Sequence, residues 1–282
     1  NNLNFVLYLF DLVEENVKNE ELKVSFLSKN NSSNQNIFHL AAKNNWIQII
    51  DFFVNKEPYV IDCATANDYQ NNTPLHIASE NHSTPFLESF VINKEIIYTD
   101  KDYIDHLNSV NYDGLSPYLV AVDRGFLDIV EFLSNVDEIN MNARDNLGQN
   151  ALQIAVKNNR PKIFMYLILN TKLVTSHPNN PNFSRSINFL NKDVNGQNIL
   201  HIAVYGEKLE MIKEIIELKG IFTPSLLNEK DNENHTSLHF AAYTGNVEIV
   251  KILLDFADLD VDAKGIENET PLHWAAENGF FD

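Results

Sequence analysis

A short phrase, Thr-Pro-Leu-His-x-Ala-Ala, recurs with variations along this chain of 282 residues and limits what it can fold into. The clearest copies are Thr73-Pro74-Leu75-His76-Ile77-Ala78, Thr236-Ser237-Leu238-His239-Phe240-Ala241-Ala242 and Thr270-Pro271-Leu272-His273-Trp274-Ala275-Ala276. Looser copies lie at 36–42, 116–122, 150–156 and 198–204. Aligned on the His position, the copies fall at 39, 76, 119, 153, 201, 239 and 273, in steps of 37, 43, 34, 48, 38 and 34. A unit this short cannot bury an apolar face alone, so such a chain is stable only when neighbouring units stack.

Each position of the phrase has a physical role. Two residues before the Thr position stand Asn34, Asn71, Gly114, Gly148, Gly196, Asn234 and Asn268, the two residue types that best tolerate positive φ. A tight turn is therefore expected before each helix pair. Thr, Ser or Asn then suits an N-cap, and Pro the first helical position, where its missing N–H costs nothing. Ala41, Ala78, Ala121, Ala155, Ala203, Ala241 and Ala275 let neighbouring units approach closely, and the apolar residues just before them, from Leu40 to Trp274, read as core between units. The histidines His39, His76, His201, His239 and His273 are read as hydrogen-bonding neighbouring turns, so no metal is expected: no Cys or carboxylate accompanies them at ligand spacing. Leu119 and Gln153 replace His in two copies.

With its period near 33 and this phrase, the chain resembles the ankyrin-repeat family over roughly residues 29–282. Further elements of the family pattern follow each Ala pair: a Gly or Asn (Asn45, Gly125, Asn159, Gly245, Gly279), then an apolar helix such as 247–254 or 127–133. The resemblance implies an all-α solenoid of about seven helix–turn–helix repeats with β-turn fingers. The expected repeats are 34–66, 67–110, 111–142, 143–190, 191–228, 229–262 and an incomplete 263–282. It also implies a concave groove lined by turn tips and by the exposed side of the first helices. Carried over by position, the groove candidates are Ser33, Lys43, Tyr69, Glu80, Tyr112, Leu115, Asp123, Arg124, Leu147, Lys157, Val194, Tyr205, Glu233, Tyr243, Glu267 and Glu277. Among these, Tyr and Arg are the types that most often anchor interfaces.

Residues 1–28 carry Leu3, Val6, Leu7, Phe10, Val13 and Val17 at helical spacing. They are expected to form a flanking helix, either a cap on the first repeat or the end of a preceding one. The last unit stops before a second helix, so the chain is expected to be a piece of a longer protein. Long connections are expected at 92–110, dense in Tyr and Asp (Tyr98, Asp100, Asp102, Tyr103, Asp105), at 171–190 around Pro178 and Pro181, and at 218–228. Loops on a rigid scaffold often carry recognition.

Charge and composition narrow the functions. A net charge of −18 repels phosphate backbones, so no nucleic acid partner is expected, and it favours a basic protein partner. No apolar run approaches the length of a membrane span. Cys63 is the one cysteine, which excludes an intramolecular disulfide framework and fits a cytoplasmic setting. No phosphate loop, Gly-x-Ser-x-Gly elbow or Cys-x-x-Cys is present, so no enzyme activity and no cofactor are expected. The leading expectation is a non-enzymatic scaffold, a monomer, that holds a partner protein in its groove. Abundant Asn, Ile and Lys fit an AT-rich genome, which links the family resemblance to effectors acting in a host cytosol. The alternative is the targeting module of a larger enzyme or channel.

Overall fold

The computed structural model describes residues 2–18, 25–26, 28–54, 63–93, 100–171, 187–218 and 224–280. Tyr98, Pro178 and Pro181 of the expected connections lie outside these residues. Among the described residues the secondary structure is helical, with no strand. The chain divides into two compact units, Asn1–Asn140 and Met141–Asp282.

In the first unit, α1 (Asn2–Asn16) precedes three helix pairs: α2 (Ile37–Asn44) with α3 (Ile47–Val54), α4 (Pro74–Glu80) with α5 (Thr84–Ile92), and α7 (Pro117–Arg124) with α8 (Leu127–Ser134). The first helices of the pairs pack in series, α2 on α4 and α4 on α7, as do the second helices α3, α5 and α8. Ala41, Ala78 and Ala121 have no exposed surface, so the small side chains sit where neighbouring helices meet. Phe10 of α1 is buried against Phe52 and Phe53 of α3, with ring centroids 5.3 and 5.4 Å apart.

The second unit repeats the scheme. It contains α9 (Ala151–Lys157) with α10 (Pro161–Thr171), α11 (Ile199–Tyr205) with α12 (Leu209–Glu217), α14 (Ser237–Thr244) with α15 (Val247–Leu254), and a final α16 (Pro271–Glu277). Here α9, α11, α14 and α16 pack in series. Helices this short are marginal in isolation, and burial against neighbours decides their stability.

Two of the expected connections prove partly helical. Residues Asp100–Leu107 form α6, with Tyr103 and Leu107 buried, and Pro224–Asn228 form α13, with Leu226 and Leu227 buried. Tyr103 is therefore a packing residue rather than a projecting one, and burial raises its phenol well above the usual range. Cys63 is also buried, and its carbonyl accepts from Asn36 Nδ2 at 2.6 Å.

Candidate functional site: fingers and first-helix surface

Six of the seven fingers are organised by an Asx side chain five residues before the helix cap; in the last, Gly265 stands there. Oδ1 of Asn31, Asp68, Asn111, Asp145, Asp193 and Asp231 accepts the backbone N–H groups two and four residues on, at 2.8–3.0 Å. The chain then reverses through a left-handed residue: Asn34, Asn71, Gly114, Gly148, Gly196, Asn234 and Asn268 have φ between 59° and 77°. Asparagine does more here than tolerate the angle. Asn34 Nδ2 donates to the Asn67 carbonyl at 2.8 Å and Asn71 Nδ2 to the Val110 carbonyl at 2.7 Å, in each case on the next finger.

A backbone ladder joins neighbouring fingers. The N–H two residues before the left-handed position donates to the carbonyl one residue before it on the preceding finger. The bonds are Tyr69 to Ser33 (3.2 Å) and Tyr112 to Gln70 (3.1 Å) in the first unit. In the second they are Val194 to Leu147 (2.8 Å), Asn232 to Asn195 (2.9 Å) and Ile266 to Glu233 (3.1 Å). The ladder turns the donors' side chains to solvent, leaving Tyr69, Tyr112, Val194 and Ile266 between 57% and 71% exposed. Leu147, on the acceptor side, is also exposed. Ile266, two residues before the left-handed Asn268, belongs with this exposed set, one residue ahead of the sequence candidate Glu267.

Beneath the fingers runs the histidine row. In the Thr-capped copies the cap's backbone N–H donates to Nδ1 of His76, His239 and His273 at 3.1–3.2 Å, with the threonine hydroxyl 2.8–3.0 Å from the same nitrogen. Because Nδ1 accepts, the proton belongs on Nε2, which donates to a carbonyl of the next finger. These bonds are His39 to Asn72 (3.0 Å), His76 to Leu115 (3.0 Å), His201 to His235 (3.2 Å) and His239 to Glu269 (3.3 Å). Gln153 reproduces both bonds, accepting from Asn150 N and donating to the Gln197 carbonyl at 3.0 Å. Leu119 has neither group, although Ser116 still caps its helix. Burial lowers the pKa of His39, His76, His201 and His239, that of His76 to about 4, so these rings are neutral at pH 7. No group of three or more potential metal ligands exists among the described residues.

The exposed side of the first helices differs between the units. In the first unit Gln35, Lys43, Gln70, Ile77, Glu80, Asn81 and Arg124 line an open cleft of about 410 Å³. Arg124 Nη2 bonds Glu80 Oε1 at 2.6 Å and its Nε lies 4.0 Å from Asp123. Both partners of the 2.6 Å pair are about half exposed, so it contributes little to stability and can open for a ligand. Asp123 and Leu115 are only partly exposed, and Leu115 serves the scaffold through its carbonyl.

In the second unit the same surface is aromatic. Tyr205 and Tyr243 are 6.4 Å apart with rings inclined by 26°, and Tyr243 lies 5.8 Å from Trp274. Trp274 also packs on His235 at 4.5 Å. Lys157, at one end, reaches Gln149 at 3.4 Å, and Glu277, at the other, is exposed.

At the end of the first helices opposite the fingers, the turn that follows each one holds a second row of left-handed residues: Asn45, His82, Gly125, Asn159, Glu207, Gly245 and Gly279. Two members, His82 and Glu207, escape the Gly/Asn pattern read from the sequence. Their side chains reach the next repeat: His82 Nε2 meets Asp128 Oδ1 at 2.8 Å and stacks on Phe126, and Glu207 accepts from Asn246 Nδ2 at 2.9 Å. Asn45 likewise accepts from Phe86 N at 3.0 Å. Asp128 also accepts from Thr84 at 2.6 Å, and these bonds hold its carboxyl below the usual range despite partial burial.

The geometry agrees with comparisons to known proteins. The profile of the family described as ankyrin repeats (3 copies) matches residues 1–102, 93–182, 171–264 and 222–282. The NAD-dependent deacetylase sir2B of Dictyostelium discoideum is 27% identical over 230 residues, 81% of this chain and 26% of that protein. Human NF-kappa-B inhibitor zeta is 25% identical over 243 residues, 85% of this chain and 29% of its own length. The chain therefore spans about a quarter of these curated relatives. Among solved structures, the ankyrin repeat domain of Bcl-3 superposes with a TM-score of 0.63 at 18% identity, covering 84% of this chain and 92% of that one. No helix among the described residues is long and apolar enough to cross a membrane. The chain belongs to the ankyrin-repeat family, an all-helical solenoid whose repeats serve as protein–protein interaction modules and are generally not catalytic.

Proposed function

We infer that this chain captures a partner protein on the surface formed by its finger tips and first helices. The observation that carries this reading is the backbone ladder. It holds Tyr69 and Tyr112 in one unit, and Val194 and Ile266 in the other, as exposed side chains on a pre-ordered support. Rigid presentation of aromatic and aliphatic groups lowers the entropy cost of association. The test is photo-crosslinking with a benzophenone amino acid placed at Tyr69, Tyr112 or Tyr205, and at Glu131 or Lys213 on second helices. Adducts are expected from the first set. Adducts from Glu131 and Lys213 alone would reject the assignment.

A second reading rests on the chain's share of its relatives. Covering 26% and 29% of two of them, it has the extent of a recruiting module within a longer protein whose chemistry lies elsewhere. The binding surface is the same in both readings.

A further inference from the structure

We propose that in the second unit the strip Tyr205–Tyr243–Trp274, with the carboxylates of Glu233, Glu267 and Glu277 beside it, holds a basic segment of the partner protein. An arginine or lysine side chain lies across the tyrosine faces. The proposal rests on the binding surface inferred above and adds the occupant's chemistry and its place.

Three observations converge on it. The rings form a connected series: Tyr205 meets Tyr243 at 6.4 Å, Tyr243 meets Trp274 at 5.8 Å, and both tyrosines are about half exposed. Aromatic faces carry negative charge density that attracts ammonium and guanidinium groups. Carboxylates lie at the end of the series: Glu233 Oε2 is 3.6 Å from the His235 ring, itself packed on Trp274, and Glu233 is 70% exposed. Glu267 follows Ile266, whose N–H bonds the Glu233 carbonyl, and Glu277 lies one turn beyond Trp274 on α16.

The surrounding sequence does not neutralise them. Residues 229–282 hold twelve carboxylate side chains against three lysines, Lys230, Lys251 and Lys264; Lys192 and Lys213 from earlier in the chain pair with Glu229 and Glu248, which are not among the three carboxylates of the strip. Lys230 Nζ is engaged with the Lys264 carbonyl at 2.8 Å, and Lys251 belongs to the second helix α15. An anionic segment would meet this field unfavourably, whereas a basic one gains Coulomb attraction and ring contact together.

The test uses the full chain and three labelled synthetic peptides of equal length: alternating arginine–leucine, glutamine–leucine and glutamate–leucine. Binding is read by fluorescence anisotropy. Only the arginine peptide is expected to bind. Its Kd should rise roughly tenfold in Tyr205→Ala/Tyr243→Ala, and by a similar factor in Glu233→Gln/Glu267→Gln/Glu277→Gln. In Asp255→Asn/Asp258→Asn/Asp260→Asn/Asp262→Asn, which removes four charges from the segment that follows the second helix α15, it should stay within about twofold. Thermal melts of all variants establish that each is folded. An equal loss in the four-aspartate variant means diffuse attraction and overturns the proposal, as does tyrosine-independent binding or no binding at all. The crosslinking above judges the broader reading separately: adducts at the finger tips without any preference for arginine would keep that surface and reject this occupant.

Discussion

The buried histidine row and the exposed row above it are generated by the same repeat, yet they treat their residues differently. Beneath the fingers the chemistry hardly changes: His39, His76, His201 and His239 each donate one Nε2–H to the next finger, and Gln153 makes the same bond with another side chain. On the exposed row the chemistry changes at nearly every step, from Lys43 and Glu80 to Tyr205 and Tyr243 and then Glu277. Uniformity marks the positions that hold units together, and variety marks the exposed side of the first helices. A buried substitution that proves harmless, or an exposed one that proves costly to stability, would contradict this division.

The largest expected effect is at His76. Replacement by Leu leaves the buried Thr73 N–H unpaired and takes from the Leu115 carbonyl one of its two donors, the other being the Asn111 N–H at 3.0 Å, which together cost about 2–4 kcal/mol in urea unfolding. Glutamine, on the precedent of Gln153, should recover most of that loss by restoring both bonds. If His76→Leu and His76→Gln unfold at the same urea concentration, the row acts by packing alone.

Acid tests the same bonds without mutation. Burial lowers the His76 pKa from 6.5 to about 4, so between those values the unfolded chain binds a proton that the folded chain refuses. The associated stability is complete above pH 6.5 and is lost as pH falls toward 4, a change of roughly 3 kcal/mol for this residue. His39, His201 and His239 shift in the same direction and add to the loss. Urea midpoints that stay level from pH 7 to pH 4.5 would contradict neutral clamps.

A smaller loss is expected from Gly196→Ala. Gly196 has φ of 77°, and an added Cβ would meet the backbone nitrogen of Asn232 at 2.7 Å, so the finger must shift. Left-handed strain and the clash together cost about 1–3 kcal/mol. Hydrogen exchange should report the loss first at Asn232, whose N–H bonds Asn195.

Much of this was legible in the sequence because steric rules act residue by residue. Only Gly and Asn stood at the finger's left-handed positions, and the structure gives every one of them positive φ. The histidines recur at one position of the repeat with no Cys or carboxylate at ligand spacing, which points to bonds between fingers rather than to a metal. Less visible were features that depend on neighbours. Helix α6 hid in a segment rich in Asp and Lys, because eight residues have little helical preference of their own and burial of Tyr103 and Leu107 supplies the rest. The Asx column from Asn31 to Asp231 lay in plain view, five residues before each cap, but Asp among many surface acids carries no mark of its role. Leu115 was counted with the exposed row, whereas its main contribution is the carbonyl that His76 holds.

The smallest effects on stability belong to the exposed row of the first unit. Tyr69 and Tyr112 project from their fingers while their backbone bonds remain with any side chain, so Tyr69→Ala/Tyr112→Ala should move the unfolding midpoint by no more than about 0.5 kcal/mol. Arg124→Ala removes a half-exposed ion pair with Glu80, for which about 0.2–1 kcal/mol is expected. Partner affinity should respond in the opposite order, since tyrosine and arginine are the side chains that most often dominate an interface. A triple variant that melts like the parent yet retains less than about a tenth of its affinity for the crosslinked partner would separate the two rows cleanly. A large loss of stability with affinity intact would show that these tips belong to the scaffold after all.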